Sequence, residues 1–298
     1  MEALLISIRE SSPFFFYLYV LLNGLYVGGF LNVVIYRLPK ILHHEWKGEA
    51  EQYLGVPSSK KSLSSDARYL TFGGRSHCAS CGSVIPFWHI IPVFSWAFLR
   101  GKAACCGSSF SIRYPLIEAI TGLVTLGLFL AFDPAKAFYF SFAFYFLICI
   151  FFIDIENYLI PSVLSNPLMW LGLMFNCTNQ GLIGLNNGVM SVISSYALIW
   201  VFTEIWKRLR KVDFVLGGGD VALITGSAAW IGLLGLPMMM LMASVFTIIF
   251  SVLKMNKEQP AFLENQRTKV IQFGPGLSLS FFISLVFYSQ LGTIINAG

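Results

Sequence analysis

Residues 217–253 read Gly217-Gly218-Gly219-Asp220 and then VALITGSAAWIGLLGLPMMMLMASVFTIIFSVL, a run of 33 residues from Val221 to Leu253 without a charge. Apolar runs of this length belong in a bilayer, whose hydrocarbon core is about 30 Å thick and takes about 20 residues of helix. As one helix the run would extend about 50 Å. It therefore reads as two short helices, 221–236 and 237–253, breaking near Pro237. A carboxylate beside such a run is costly in lipid, which makes Asp220 a functional candidate. Glycines followed by Asp also start an ordinary helix, the glycines turning the chain and the Asp capping the first N–H groups. What favours the functional reading is a second acid, Asp154, at the end of another apolar stretch.

The rest of the chain has the same character. Its 298 residues are 56% apolar and 12% charged, with 28 Phe and a mean hydropathy of +0.70. Soluble domains carry roughly 25% charge, so this composition is that of an integral membrane protein in contact with lipid. The net charge of +5 does not imply nucleic acid, because the basic residues sit in loops where membrane topology accounts for them. Phe14 to Tyr36 is too long for the apolar region of a cleaved signal and lacks a small-residue cleavage pattern after it.

The expected fold is an all-α polytopic membrane protein with about eight transmembrane helices. The spans are placed at approximately 14–36, 115–132, 137–153, 161–176, 188–206, 221–236, 237–253 and 275–291. Three parts follow: a first transmembrane helix (1–36), a small cytoplasmic domain with a C-x-x-C motif (37–113), and a transmembrane core (114–298). Within the second part, Ile41 to Val56 looks amphipathic and Ser58 to Asp66 reads as a linker. Lys and Arg set the orientation. Loops 37–113, 207–219 and 254–274 hold 18 of them, and the alternate side holds only Arg9 and Lys136. The rich side is cytoplasmic and both termini lie outside. Asp154 and Asp220 then fall at similar depth near the inner interface, each at a helix end.

Two carboxylates that share a proton can activate water and protonate a leaving amine, and they titrate as a coupled pair. Asp220 lies at a helix N-terminus, whose field favours the ionised form, and Asp154 near a C-terminus, whose field favours the neutral one. Asp154 is accordingly expected to carry the proton and Asp220 to be the base. Other proteolytic chemistry fits less well. All four histidines (His43, His44, His77, His89) lie in the first cytoplasmic loop, and no H-E-x-x-H zinc motif is present.

These residues resemble a family. Gly217-Gly218-Gly219-Asp220 matches the G-x-G-D signature of intramembrane aspartyl peptidases, with Gly217 and Gly219 supporting the acid. The resemblance to the type IV prepilin peptidases, bifunctional leader peptidases and N-methyltransferases, covers most of the chain. It is carried by Gly28 to Pro39, by Pro86 to Lys102, by Arg113-Tyr114-Pro115-Leu116-Ile117-Glu118, by Asp154 seven residues before Pro161, and by Phe273-Gly274-Pro275. The resemblance implies that Asp154 and Asp220 are catalytic. The chain departs from the family pattern at Ala222, where Lys is usual, and at Ser162, where Asp is usual.

The cysteines suggest a metal. Cys78-Ala79-Ser80-Cys81 is a knuckle in a reducing compartment, where metal is favoured over a disulfide. The resemblance implies a second knuckle, but Ala103 stands in place of its first cysteine, leaving Cys105 and Cys106. Adjacent cysteines seldom both reach one tetrahedral ion. Cys78, Cys81, Cys105 and Cys106 are the candidate zinc ligands, with Cys106 in the fourth position that the resemblance implies, Cys105 the poorest of the set, and His77 or His89 as alternatives. Cys149 and Cys177 read as packing residues. Methyl transfer from S-adenosylmethionine is implied by the resemblance alone. Arg113 and Glu118 are candidates for its pocket or, equally, for an interfacial ion pair.

The resemblance thus implies a bacterial inner-membrane enzyme, active at the cytoplasmic face, that removes the basic leader from type IV prepilins or pseudopilins and methylates the new N-terminus. Two alternatives remain. A cation-coupled transporter needs further acids at mid-membrane, whereas Glu118, Glu204 and Asp213 fall toward the cytoplasmic ends. A non-catalytic component of a pilus or secretion machine would tolerate loss of either acid.

Overall fold

The computed structural model describes residues 2–55, 77–78, 80–86, 93–211, 216–253 and 271–297. The linker expected at Ser58 to Asp66, and with it His89, Asp213 and the basic loop after Leu253, lies outside the described residues. The described residues are nearly all helical. Their only β contacts are two isolated bridges, His77 with Val84 and Lys102 with Ser109. Among the described residues, five helices are long and apolar enough to cross a membrane. The chain divides into two compact units, residues 1–141 and 142–298.

The first unit contains α1 (Glu2–Ser11), α2 (Pro13–Tyr53), a short α3 (Phe94–Phe98) and α4 (Arg113–Ala131). Pro13 starts α2 where a missing N–H is harmless. The helix then runs unbroken past residue 36 and includes most of the amphipathic segment expected after it. Its 41 residues extend about 60 Å, roughly twice the hydrocarbon thickness. An antiparallel hairpin forms with α4. Phe16 meets Phe129 edge-on, and Gly24 and Gly28 lie so close to Gly122 and Glu118 that an added Cβ would come within 2.9 and 2.7 Å of their Cα atoms. At the far end the Asn32 amide donates to the Tyr114 carbonyl at 3.1 Å. The G-x-x-x-G of α2 is a helix-packing device, as close approach of small residues in lipid requires.

The unit boundary falls within α5 (Pro134–Asn157), which leads into α6 (Ser162–Asn176), α7 (Leu185–Arg210), α8 (Gly218–Leu253) and α9 (Gly274–Ala297). α8 packs against α6, α7 and α9. Trp230, fully buried, donates its indole N–H to Leu168 O, and Gly172 leaves the space its ring occupies. The outward face of α7 exposes Met190, Ile193, Tyr196, Trp200 and Phe202, an apolar surface suited to lipid.

α8 fractures, but not near Pro237. The break is at Gly232 (φ 74°, ψ 171°), a conformation open in practice only to glycine. The polar groups it frees are satisfied from neighbouring helices. Leu233 N–H donates to Ser191 Oγ at 3.0 Å, and Asn176 Nδ2 donates to Ala229 O at 2.7 Å. Asn176 Oδ1 accepts from Ile183 N–H at 3.1 Å. In lipid such pairing is what allows a helix to break at all.

Candidate active site

Asp154 sits in the last turn of α5 and is 5% exposed, while Asp220 is half-buried in the first turn of α8. α5 ends because Tyr158 adopts a left-handed conformation (φ 55°), its N–H donating back to Asp154 O at 3.0 Å. The chain then turns through Ile160 into α6. Ile160 lies against Gly219, next to Asp220, and against Gly274 at the head of α9. Gly274 N–H in turn donates to Asp154 Oδ2 at 3.1 Å. The helix ends that bear the two acids are thus gathered around one apolar side chain, all within the second unit.

The glycines of the G-x-G-D turn have separate tasks. A Cβ at Gly217 would sit 2.7 Å from Asp220 Oδ2, and Gly217 N–H donates to that carboxylate. A Cβ at Gly219 would sit 2.7 Å from both Cβ and O of Ile160. At Gly218 it would meet nothing, so the middle position of the turn has room for a side chain. Both acids therefore receive a backbone N–H at a helix head, Asp220 from Gly217 and Asp154 from Gly274. The opposite helix fields expected from sequence omitted α9, whose N-terminus faces Asp154. The sequence marks Phe273-Gly274-Pro275 as a motif, but nothing in it marks Gly274 or Gln272 as supports for the acid.

In the first unit, two hairpins repeat one plan. Cys78 N–H donates to Ser83 O and Ala103 N–H to Ser108 O, with Gly82 and Gly107 in left-handed turns. Ala103 occupies the place of Cys78, and Cys106 that of Cys81. Cys105, expected to be a poor ligand, is in fact drawn in: its Sγ lies 3.4 Å from Cys81 Sγ and 3.9 Å from Cys106 Sγ. The turn at 104–106 directs both neighbouring thiols to the same point. Cys78 Sγ lies 3.7 Å from Cys106 Sγ, and all four sulfurs fall within 4.8 Å of one another. The backbone N–H groups of Cys81 and Ser80 pull the Cys78 thiol down to about 6, and the Ser83 hydroxyl lowers Cys81. Cys105 is drawn down by Ser83, but Cys81, burial, Cys78 and Cys106 together push it up to about 11. His77 is not part of the group.

Arg113 and Glu118 lie on the first turns of α4. The Arg113 guanidinium lies over the Tyr114 ring, and Glu118 Oε2 accepts from Val93 N–H at 2.7 Å. Val93 is held at φ 60°, unusual for a β-branched residue.

Fold and sites together define a polytopic helical membrane protein with a thiol module in one unit and two helix-end acids in the other. Residues 22–132 match the bacterial peptidase A24 N-terminal domain, and residues 141–252 match the type IV leader peptidase family. The prepilin leader peptidase/N-methyltransferase of Dickeya chrysanthemi is 34% identical over 288 residues, covering 95% of this chain and 96% of that one. The proteins of the same name from Aeromonas salmonicida (strain A449) and Legionella pneumophila are 32% and 33% identical. They cover 95% and 92% of this chain, and 94% and 92% of their own lengths. No solved structure matches. The chain belongs to the type IV leader peptidase family.

Proposed function

We propose that this protein cleaves the leader from type IV prepilins or pseudopilins and then methylates the new N-terminus, with Asp154 and Asp220 as the peptidase acids. Relatives of that name match along almost the whole chain, but the observation that carries the reading is the gathering of both acid-bearing helix ends around Ile160. In the cleavage step, one acid as carboxylate takes a proton from water while the water oxygen bonds to the scissile carbonyl carbon. The other acid gives its proton to the amide nitrogen as the C–N bond breaks. The charge pattern of the loops supports action at the cytoplasmic face of the bacterial inner membrane. A substrate that is itself a membrane helix with a basic leader would present its junction there.

The methyl donor is S-adenosylmethionine, which supplies an electrophilic methyl group for the new amine. Arg113 and Glu118 are the proposed residues for holding it, a guanidinium suited to a carboxylate and a half-buried acid suited to hydroxyl or amine. The four thiols fit zinc. A tetrahedral ion with Zn–S bonds of about 2.3 Å sets sulfurs about 3.8 Å apart, and the pairs at 3.4, 3.7 and 3.9 Å are close to that spacing. Cys78, Cys81, Cys105 and Cys106 would hold it as a structural ion tying the two hairpins together.

The test is incubation of the purified protein with a model prepilin, with and without S-adenosylmethionine, read by product mass. Cleavage in both cases and one added methyl group only with the donor are expected. Asp154→Ala and Asp220→Ala, each inserted normally, should leave the prepilin uncut. Cleavage by either variant at the wild-type rate would overturn the acid assignment.

A further inference from the structure

Immediately before α9, Gln272 reaches back across 118 residues of sequence. Its Nε2 donates to Asp154 O at 2.6 Å and to Ile155 O at 3.0 Å. These are carbonyls of the final turn of α5, where helix acceptors look beyond the helix for donors; Asp154 O accepts from Tyr158 N–H as well as from Gln272. Two residues further on, Gly274 N–H donates to Asp154 Oδ2. Three hydrogen bonds from a three-residue segment therefore converge on one acid and the residue after it. Space is as tight as the bonding is dense. A Cβ at Gly274 would sit 2.7 Å from Asp154 Oδ2 and 3.0 Å from Ile160 Cδ1.

We propose that Gln272 is a positioning residue for the peptidase site: its amide pins the 271–274 segment to the end of α5, so that Gly274 N–H holds the Asp154 carboxylate. This rests on Asp154 being one of the two peptidase acids. An N–H can only donate, so Oδ2 is held as an acceptor, which favours Oδ1 for any proton that Asp154 exchanges. Both of these Gln272 bonds run to backbone carbonyls, and through them it acts on the acid. What it supplies is donor chemistry at two carbonyls, which a lysine can also supply at a helix C-terminus. An apolar side chain of the same length cannot.

The experiment compares wild type, Gln272→Met and Gln272→Lys in lipid nanodiscs, by hydrogen–deuterium exchange over residues 271–277 and by steady-state cleavage of a prepilin. Gln272→Met should lose protection in that segment. Its kcat should fall about tenfold or more, the scale of a small misplacement of a catalytic group, while its KM stays within about twofold. Gln272→Lys should keep both protection and kcat within about threefold of wild type. The proposal is overturned if Gln272→Met exchanges and cleaves like wild type, or if correctly inserted Gln272→Lys is as impaired as Gln272→Met. Protection that follows the donor in proteins that all leave prepilin uncut supports the pin and removes the peptidase reading instead.

Discussion

Gly217, Gly218 and Gly219 look alike in sequence and differ completely in what surrounds them. A methyl group at Gly217 meets the Asp220 carboxylate, at Gly219 it meets Ile160, and at Gly218 it meets open space. Gly217→Ala and Gly219→Ala are each expected to slow leader cleavage by about tenfold or more by displacing the acid. Gly218→Ala should stay within about twofold. Initial rates on one prepilin substrate would separate the three. The motif itself was readable because it is local: a turn, an acid and an apolar run are adjacent in the chain. Gln272 was not readable as part of the site, because its partners lie 118 and 117 residues away and no short-range pattern marks such a contact. The approach of the Cys105 thiol to the other three is likewise a matter of tertiary geometry. The rule that neighbouring thiols diverge holds for extended chain, and it fails where a turn at 104–106 folds both inward.

At the level of elements, the break in α8 shows where sequence signals mislead. Proline is the more conspicuous helix breaker, so Pro237 drew the expected break, yet Gly232 alone can take φ 74° without a Cβ penalty. A break also needs partners for the groups it frees, and those partners, Asn176 on α6 and Ser191 on α7, are a tertiary matter. Gly232→Ala should therefore destabilise the second unit by about 1–3 kcal/mol through backbone strain. Asn176→Leu should do so by a similar amount, about 1–3 kcal/mol, by leaving the buried Ala229 O and the half-buried Ile183 N–H without that donor and acceptor. Thermal denaturation in detergent or nanodiscs checks both. A midpoint unchanged in Asn176→Leu would mean that the freed groups find other partners. In the pairing of α2 with α4, the partner of Gly24 and Gly28 is known only from the structure. Small residues four apart on an apolar helix mark a packing face and not its partner.

For the whole molecule, the proposed zinc site falls in one compact unit and the proposed acids in the other, so zinc should matter to only one of them. Removing zinc with a chelator is expected to loosen the hairpins at 77–84 and 102–109 and leave the helices of the second unit intact, which limited proteolysis would reveal. Cys105→Ser should weaken zinc binding beyond the roughly 10–100-fold that loss of an outer partner costs. Adding Ala103→Cys to it should restore affinity by returning the second hairpin to the plan of the first, as a zinc-indicator competition would report. Composition and loop charges made the membrane-embedded helical character legible, while the number of crossings depends on breaks and lengths that only packing decides. Ile160 carries no titratable group yet lies between the two helix ends that bear the proposed acids. It works as a spacer of fixed gauge. Trimming it to valine or swelling it to phenylalanine would reset the interval across which protons are traded, so the reaction's tempo could be tuned from a side chain that never handles a proton.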